Sequence, residues 1–418
     1  MTQLHKKFSD SQVKELFARY LKGEIPRRYV QEMLEIKKRR FFALLKRYRE
    51  KPEAFSIKYQ REEPTRHIPE QAEKAILKEL AIDKKIIADK DNPVRRYNYS
   101  FIKDRLADTY GQKVALSTII DRAKKHGFYR KRPKPSKHDR EVLTNYIGEL
   151  IQHDSSFHLW APAAGEKWYL ITSLDDHSRF ILYAELVRRE SSWAHIMALQ
   201  TVFLKHGFPF SYYVDSHSIF RFVQGRDSIW REHHKLTDEV DPQWKQVLGD
   251  YGVKLIYALS PQAKGKIERP YQWLQDRLVR LCVRNNVTDI GQARTLLHHD
   301  VQRYNYRQVH STTLEVPYFR FQKALQDKKS LFRKFLIPPP LQSVKDIFCL
   351  RAERTVDAYC RVSINSKFRS VNYANPGDVL TIRFYPMTGG VTELRYWRES
   401  RLLDVQRIKT NDLEGMQF

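Results

Sequence analysis

Leu150-Ile151-Gln152-His153-Asp154-Ser155-Ser156-Phe157-His158-Leu159-Trp160 reads as a β-strand. Period-two alternation puts Asp154 on one face with Gln152, Ser156, His158 and Trp160, while Ile151, Phe157 and Leu159 face the other way. A carboxylate in the middle of a central strand is costly unless it is paired or holds a metal. Strand-like runs follow at Lys167–Leu174 and Phe180–Leu186, then a helix over Ser192–His206 and a short strand, Ser211–Val214. Val253–Tyr257 and a long helix from about Lys264 to Arg284 complete the pattern. Three adjacent strands, a helix, a strand and further alternation describe a mixed sheet flanked by helices.

Outward from this block, the chain predicts several domains, as 418 residues allow. Toward the N-terminus, Ser9 caps a helix bearing Val13, Leu16, Phe17, Tyr20 and Leu21, and Gly23 stops it. Pro26 opens a second helix, and a third begins near Lys37 with Phe41, Leu44, Leu45 and Tyr48 inward. Three short helices suit a helix-turn-helix unit, assigned to 1–55. Lys37, Lys38, Arg39 and Arg40 crowd the start of the third helix, where the macrodipole disfavours cations and phosphates would offset the cost. A second, winged-type unit is expected over 67–130, with helices at Gln71–Ala88, Tyr99–Tyr110 and Ser117–His126. Ser117 would cap its reading helix, which carries Arg122, Lys124 and Lys125. Arg130, Lys131 and Arg132 begin a Pro-broken basic linker over 131–147, suited to a tether or to a groove-tracking arm. Residues 148–318 form the α/β core, 319–345 a helical and Pro-rich linker, and 346–418 a small β-barrel with a Gly389-Gly390 hairpin signal.

The net charge is +26, and residues 1–150 supply well over half of the surplus. Such a charge favours a polyanionic partner. Three cysteines, Cys282, Cys349 and Cys360, form no CxxC and no even set, so neither a disulfide framework nor a zinc site is suggested. No run reaches the about 18 apolar residues of a membrane span and no segment resembles a signal peptide, so a soluble, cytoplasmic protein is expected.

Two further carboxylates stand out. Asp215 ends the strand Tyr212-Tyr213-Val214, where α/β sheets commonly present functional groups. Glu268 sits in the first turns of the long helix, beside a stripe of Ile267, Tyr271, Leu274, Leu278 and Leu281. Singly these residues have ordinary explanations: a strand aspartate is usually hydrogen-bonded, and Glu268 with Lys264 fits an i, i+4 surface pair.

In combination they carry a resemblance. Asp154-Ser155-Ser156-Phe157-His158-Leu159-Trp160, Ser173-Leu174-Asp175-Asp176-His177-Ser178-Arg179, Val214-Asp215 and Ser260-Pro261-Gln262-Ala263-Lys264-Gly265-Lys266-Ile267-Glu268-Arg269 occur in that order. Tyr304-Asn305-Tyr306-Arg307-Gln308-Val309-His310 and Pro317 follow. The set resembles the catalytic core shared by retroviral integrases and bacterial insertion-sequence transposases, over roughly 148–318. The resemblance implies an RNase H-like fold and a DDE triad falling on Asp154, Asp215 and Glu268, with two Mg²⁺ ions for which Mn²⁺ can substitute. It places Asp175 and Asp176, the rivals to Asp215, in a turn. Two departures mark a divergent branch. Ser216-His217 stands where the family often has Asn-Gly, and the gap between Asp215 and Glu268 is lengthened by the polar stretch Arg221–Gly249.

The implied function is transposition. The N-terminal units would bind terminal inverted repeats, and the core would cleave each end and join the 3′-OH to target DNA. Lys264 and Lys266 are candidates for guiding phosphate, and a dimer or tetramer is expected to handle two ends together. An inactive transposase-derived regulator and an RNase H-like nuclease are the alternatives.

Overall fold

A computed structural model of the chain describes residues 4–58, 68–131, 144–214, 243–257, 265–414 and 416, the side chains of 265–269 excepted. The chain divides into two compact units, Met1–Glu73 and Lys74–Phe418.

In the first unit, α1 (Asp10–Leu21), α2 (Arg27–Met33) and α3 (Lys38–Glu50) enclose Val13, Phe17, Val30, Phe41, Leu44 and Leu45. Ser9 begins α1 with a capping box: its side chain accepts from the Gln12 amide, and the Gln12 side chain accepts from the Ser9 amide. Phe17 meets Phe41 and Phe55 edge-on at centroid separations of 5.7 and 5.8 Å, which ties α1 to α3 and to the segment that follows it.

The second unit takes in α4 (Glu70–Ala88), which starts just ahead of the boundary, then α5 (Tyr99–Tyr110) and α6 (Leu116–Lys125). Gly111 ends α5 in the left-handed conformation. The N-cap of α6 is Ala115, without a side-chain bond, so Ser117 lies inside the first turn and is not the cap. The described part of 68–131 contains no strand, which leaves the expected wing without a counterpart there.

The mixed sheet has the order β3-β2-β1-β4-β5, from β1 (Ile151–His158), β2 (Trp168–Asp175), β3 (Ile181–Val187), β4 (Ser211–Val214) and β5 (Lys254–Tyr257). β1 is central, antiparallel to β2 and parallel to β4. Apolar residues of one sheet face, Ile151, Leu182, Tyr212 and Val214, share a core with α7 (Ser192–His206) and α8 (Gln243–Gly249). The other face, with Leu170 and Leu174, shares one with α9 (Gly265–Arg284), α10 (Ile290–Tyr306) and α4 to α6. The buried stripe of α9 runs Tyr271, Leu274, Leu278 and Cys282, while Leu281 is only half-buried.

After α11 (Pro317–Gln326), residues 329–333 form a strap across the sheet ends. Ile147 donates to the Lys329 carbonyl and accepts from the Leu331 amide, and Phe208 and Arg333 exchange both backbone bonds. The C-terminal strands are β6 (Leu350–Thr355), β7 (Arg361–Ile364), β8 (Lys367–Ser370), β9 (Val379–Met387), β10 (Val391–Arg398) and β11 (Arg401–Lys409). They form a four-stranded antiparallel sheet, β11-β10-β9-β6, and a β7-β8 ribbon. No pairing joins β6 to β11, so closure into the expected barrel is not among the contacts described. Leu380, Ile382 and Phe384 of this sheet belong to the same apolar core as α7 and α8. Gln243 adds two backbone bonds to Arg351.

Gly207, at the end of α7, has φ +91° and ψ 178°, a conformation close to glycine-only, and a Cβ there would strike the Arg333 carbonyl. Gly207→Ala is expected to cost at least about 1–3 kcal/mol, read by chemical denaturation of the full chain. Unchanged stability would show that the strap is not seated on this turn.

Candidate active site

Asp154 occupies the middle of β1, opposite Thr172 of β2, and is half-buried. The alternation read from the sequence is present around it. Ile151 and His153 are fully buried on the α7 side, while Gln152 and Ser156 bond to groups of the opposite face. On that opposite face, Tyr271 of α9 donates its hydroxyl to the Asp154 carbonyl at 2.6 Å and accepts from Thr172 Oγ1 at 2.7 Å. Burial, and then the nearby Asp154 charge, pushes the Tyr271 hydroxyl well above its ordinary acidity constant, so it stays a donor. One turn on, Gln275 donates to Ser156 Oγ at 3.0 Å. The helix is thus tied to β1 at two levels.

On the other side of β1, a hydrogen-bonded chain flanks Asp154. His153 Nδ1 meets Ser173 Oγ at 2.9 Å, His153 Nε2 meets His195 Nδ1 at 2.8 Å, and His195 Nε2 meets Glu190 at 3.0 Å. Ser155 closes it by donating to Glu190. Trp244 stacks on the His153 ring at 5.4 Å. Reading the sequence alone missed both this chain and the Tyr271 bonds. The available signals were His153 falling on the face of Ile151, and a tyrosine three residues after Glu268.

Asp215 follows the last residue of β4 and lies outside the described residues, as do Lys264 and Arg132. Glu268 and Lys266 fall in the first turn of α9, in the part whose side chains are not described. Among the described residues no group of three metal-binding side chains is assembled.

Asp175 and Asp176 are occupied by the turn that follows β2. Asp175 accepts from the Gly148 amide and from the Ser178 amide and hydroxyl, which oppose the upward push of its complete burial. Asp176 accepts from Gln152, Arg179 and Thr144. Arg179 holds φ +66° within this turn. His158 sits edge-on to Trp160 at 5.2 Å, and burial lowers its basicity.

Of the expected DNA contacts, Lys37 is the N-cap of α3 with no side-chain cap bond; it, Lys38 and Arg39 are exposed, while Arg40 is half-buried. Arg122, Lys124 and Lys125 form the last turn of α6, with Arg130 and Lys131 exposed beyond it. Lys124 lies over the Tyr129 ring at 5.4 Å. No helix among the described residues is long and apolar enough to cross a membrane.

The chain is similar to insertion-sequence transposases, as its motifs imply. It matches a protein named as a transposase, y4bF, of Sinorhizobium fredii at 28% identity over 256 residues, 61% of this chain and 51% of that one. It also matches the transposase for insertion sequence IS1202 of Streptococcus pneumoniae at 30% identity over 179 residues, 43% of this chain and 37% of that one. The matches thus span about half, or less, of these relatives' lengths. No protein-family model matches. Solved structures similar to it include the HTLV-2 integrase catalytic core domain in complex with magnesium, at 14% identity and a TM-score of 0.32, covering 44% of this chain and 99% of that one. Another is the simian T-cell lymphotropic virus intasome in complex with PP2A regulatory subunit B56 gamma, at 12% identity and 0.36, covering 70% and 92%.

If Asp176 is structural, Asp176→Ala leaves the buried Arg179 guanidinium without its carboxylate. The expected loss is about 3–5 kcal/mol of stability, the same with and without Mg²⁺ in a denaturation series. A loss that appears only with Mg²⁺ would return Asp176 to the candidate ligands.

Proposed function

We propose that the protein is a DNA transposase that binds the ends of its element, cleaves a strand at each end and joins the 3′-OH to target DNA. Asp154, Asp215 and Glu268 are the proposed metal-binding triad. The observation that carries this reading is the parallel ladder Ile151↔Tyr212 and Gln152↔Tyr213. It makes β4, which ends at Val214, the parallel neighbour of the strand that carries Asp154, which supports proposing Asp215, the next residue in the sequence, as the second member. The Tyr271 bond to the Asp154 carbonyl supports the third member, because position 268 lies one turn earlier on the same helix.

Carboxylate oxygens are the donors that hard cations such as Mg²⁺ or Mn²⁺ take, and Asp154 offers one in a half-buried setting. A pair of such ions, when bound, stabilises the attacking and leaving oxygens of a phosphoryl displacement. Of the proposed triad, Asp154 lies on the central strand β1, and the turn at Asp175–Arg179 braces the end of the adjacent β2. Lys37, Lys38, Arg39 and Arg40 are proposed to meet DNA phosphate, since α3 begins with no acidic residue in its first turn and no side-chain cap. Arg122, Lys124, Lys125, Arg130, Lys131, Arg132, Lys264 and Lys266 are the remaining proposed contacts. Two ends handled together make a homo-oligomer part of the proposal.

The test is cleavage and joining of labelled end-bearing DNA in Mg²⁺ by the wild type and by Asp154→Asn, Asp215→Asn and Glu268→Gln. Each substitution is expected to lower both activities about 100-fold or more while end binding persists. Full activity in Asp215→Asn would remove it from the triad, and hydrolysis without joining by the wild type would favour a nuclease.

A further inference from the structure

α9 is gripped at its C-terminal half by side chains that lie almost two hundred positions earlier in the chain. Arg277, Arg280 and Arg284 share one helix face, and all three are nearly or fully buried. Arg280 Nη1 meets Asp83 Oδ2 of α4 at 2.7 Å, with both side chains completely inaccessible. Arg284 Nη1 meets Glu79 of α4 at 2.8 Å, and Arg277 Nη1 meets Asp104 of α5 at 2.8 Å. Phe101 of α5 lies between Arg277 and Arg284, at 5.1 and 5.3 Å from their guanidinium carbons. Asp276 of α9 takes Arg280 and the Asn98 amide group at the start of α5. Every one of these residues belongs to the second compact unit.

Buried ion pairs are a poor source of net stability, because desolvation cancels much of the attraction. Burial pushes the Asp83 carboxyl up, while Arg280 and Arg284 pull it back. Apolar contacts between the same helices would hold at least as firmly. What the charged pairs add is register: a slide or rotation of α9 by one residue would strand three buried guanidinium groups together.

We propose that Asp83 and Asp104 are positioning residues for the proposed active site, acting through Arg280 and Arg277 to set the register of the helix that carries Glu268. The inference rests on the triad reading above. The N-terminal half of α9 reaches β1 through Tyr271, and the C-terminal half is indexed by α4 and α5. α4 and α5 share an apolar core with α9 and with α6, the helix that carries the proposed DNA contacts Arg122, Lys124 and Lys125.

The experiment compares the full-length wild type with Asp83→Asn, Asp104→Asn and Glu268→Gln. Thermal stability, end-DNA affinity, and cleavage rate against Mg²⁺ concentration are measured at a temperature where each is folded. Asp83→Asn is expected to keep end affinity and raise the Mg²⁺ needed for half-maximal cleavage about threefold to tenfold. Asp104→Asn, less buried, should shift it in the same direction by less, and it carries the test if Asp83→Asn does not fold. Cleavage that falls only with the folded fraction, at unchanged Mg²⁺ dependence, overturns the proposal and leaves the triad standing. Undiminished cleavage by Glu268→Gln overturns both.

Discussion

The Tyr271 hydroxyl is the smallest group on which the arrangement around β1 depends. It spans two strands, donating to the Asp154 carbonyl and accepting from Thr172 of β2. A long helix resting on a twisted sheet through apolar contacts alone has little to stop it sliding, because such contacts are non-directional. One buried hydroxyl with a donor and an acceptor already assigned supplies the missing direction. The same burial, with the Asp154 charge nearby, pushes its acidity constant up and favours the protonated, donating hydroxyl.

The sheet is held from behind by a different kind of contact. His153, His195 and Glu190 form a chain of hydrogen bonds whose members are satisfied by one another and by Ser155 and Ser173. Polar groups this deep would be a liability if any lacked a partner. Linked in series, they pin the residues on both sides of Asp154 while leaving its own side chain on the opposite face. A similar economy appears beside the C-terminal sheet, where the completely buried Asp346 accepts from Arg395, Trp397 and the backbone amides of Gln342 and Ser343.

Much of this fold is written locally. The strands around Asp154 and the helices of the first unit follow from apolar period and from caps such as Ser9, and their limits in the structure differ by one or two residues. The parity of β1 was also readable, because alternation is a property of any strand. What stayed hidden is long-range. The pairing of Asp83 with Arg280 has no local signature, since each looks like an ordinary charge on a solvated helix. The C-terminal barrel was inferred from strand-rich runs and a Gly-Gly turn, which predict hairpins but not whether the outer strands meet. β7 and β8 pair with each other instead of bridging β6 to β11. In the candidate site, Asp154 could be placed by alternation and the turn aspartates through the family resemblance, whereas Tyr271 required knowing which helix covers which strand.

The strap at 329–333 has a practical corollary for dissecting this protein. Its backbone partners, Ile147 and Phe208, sit just ahead of β1 and between α7 and β4. A fragment cut at the end of the motif-bearing region, before Lys329, would therefore expose the amides of both residues and open a gap beside Gly148 and Gly207. The backbone bonds that finish this end of the sheet thus come from beyond the segment that carries the recognisable motifs.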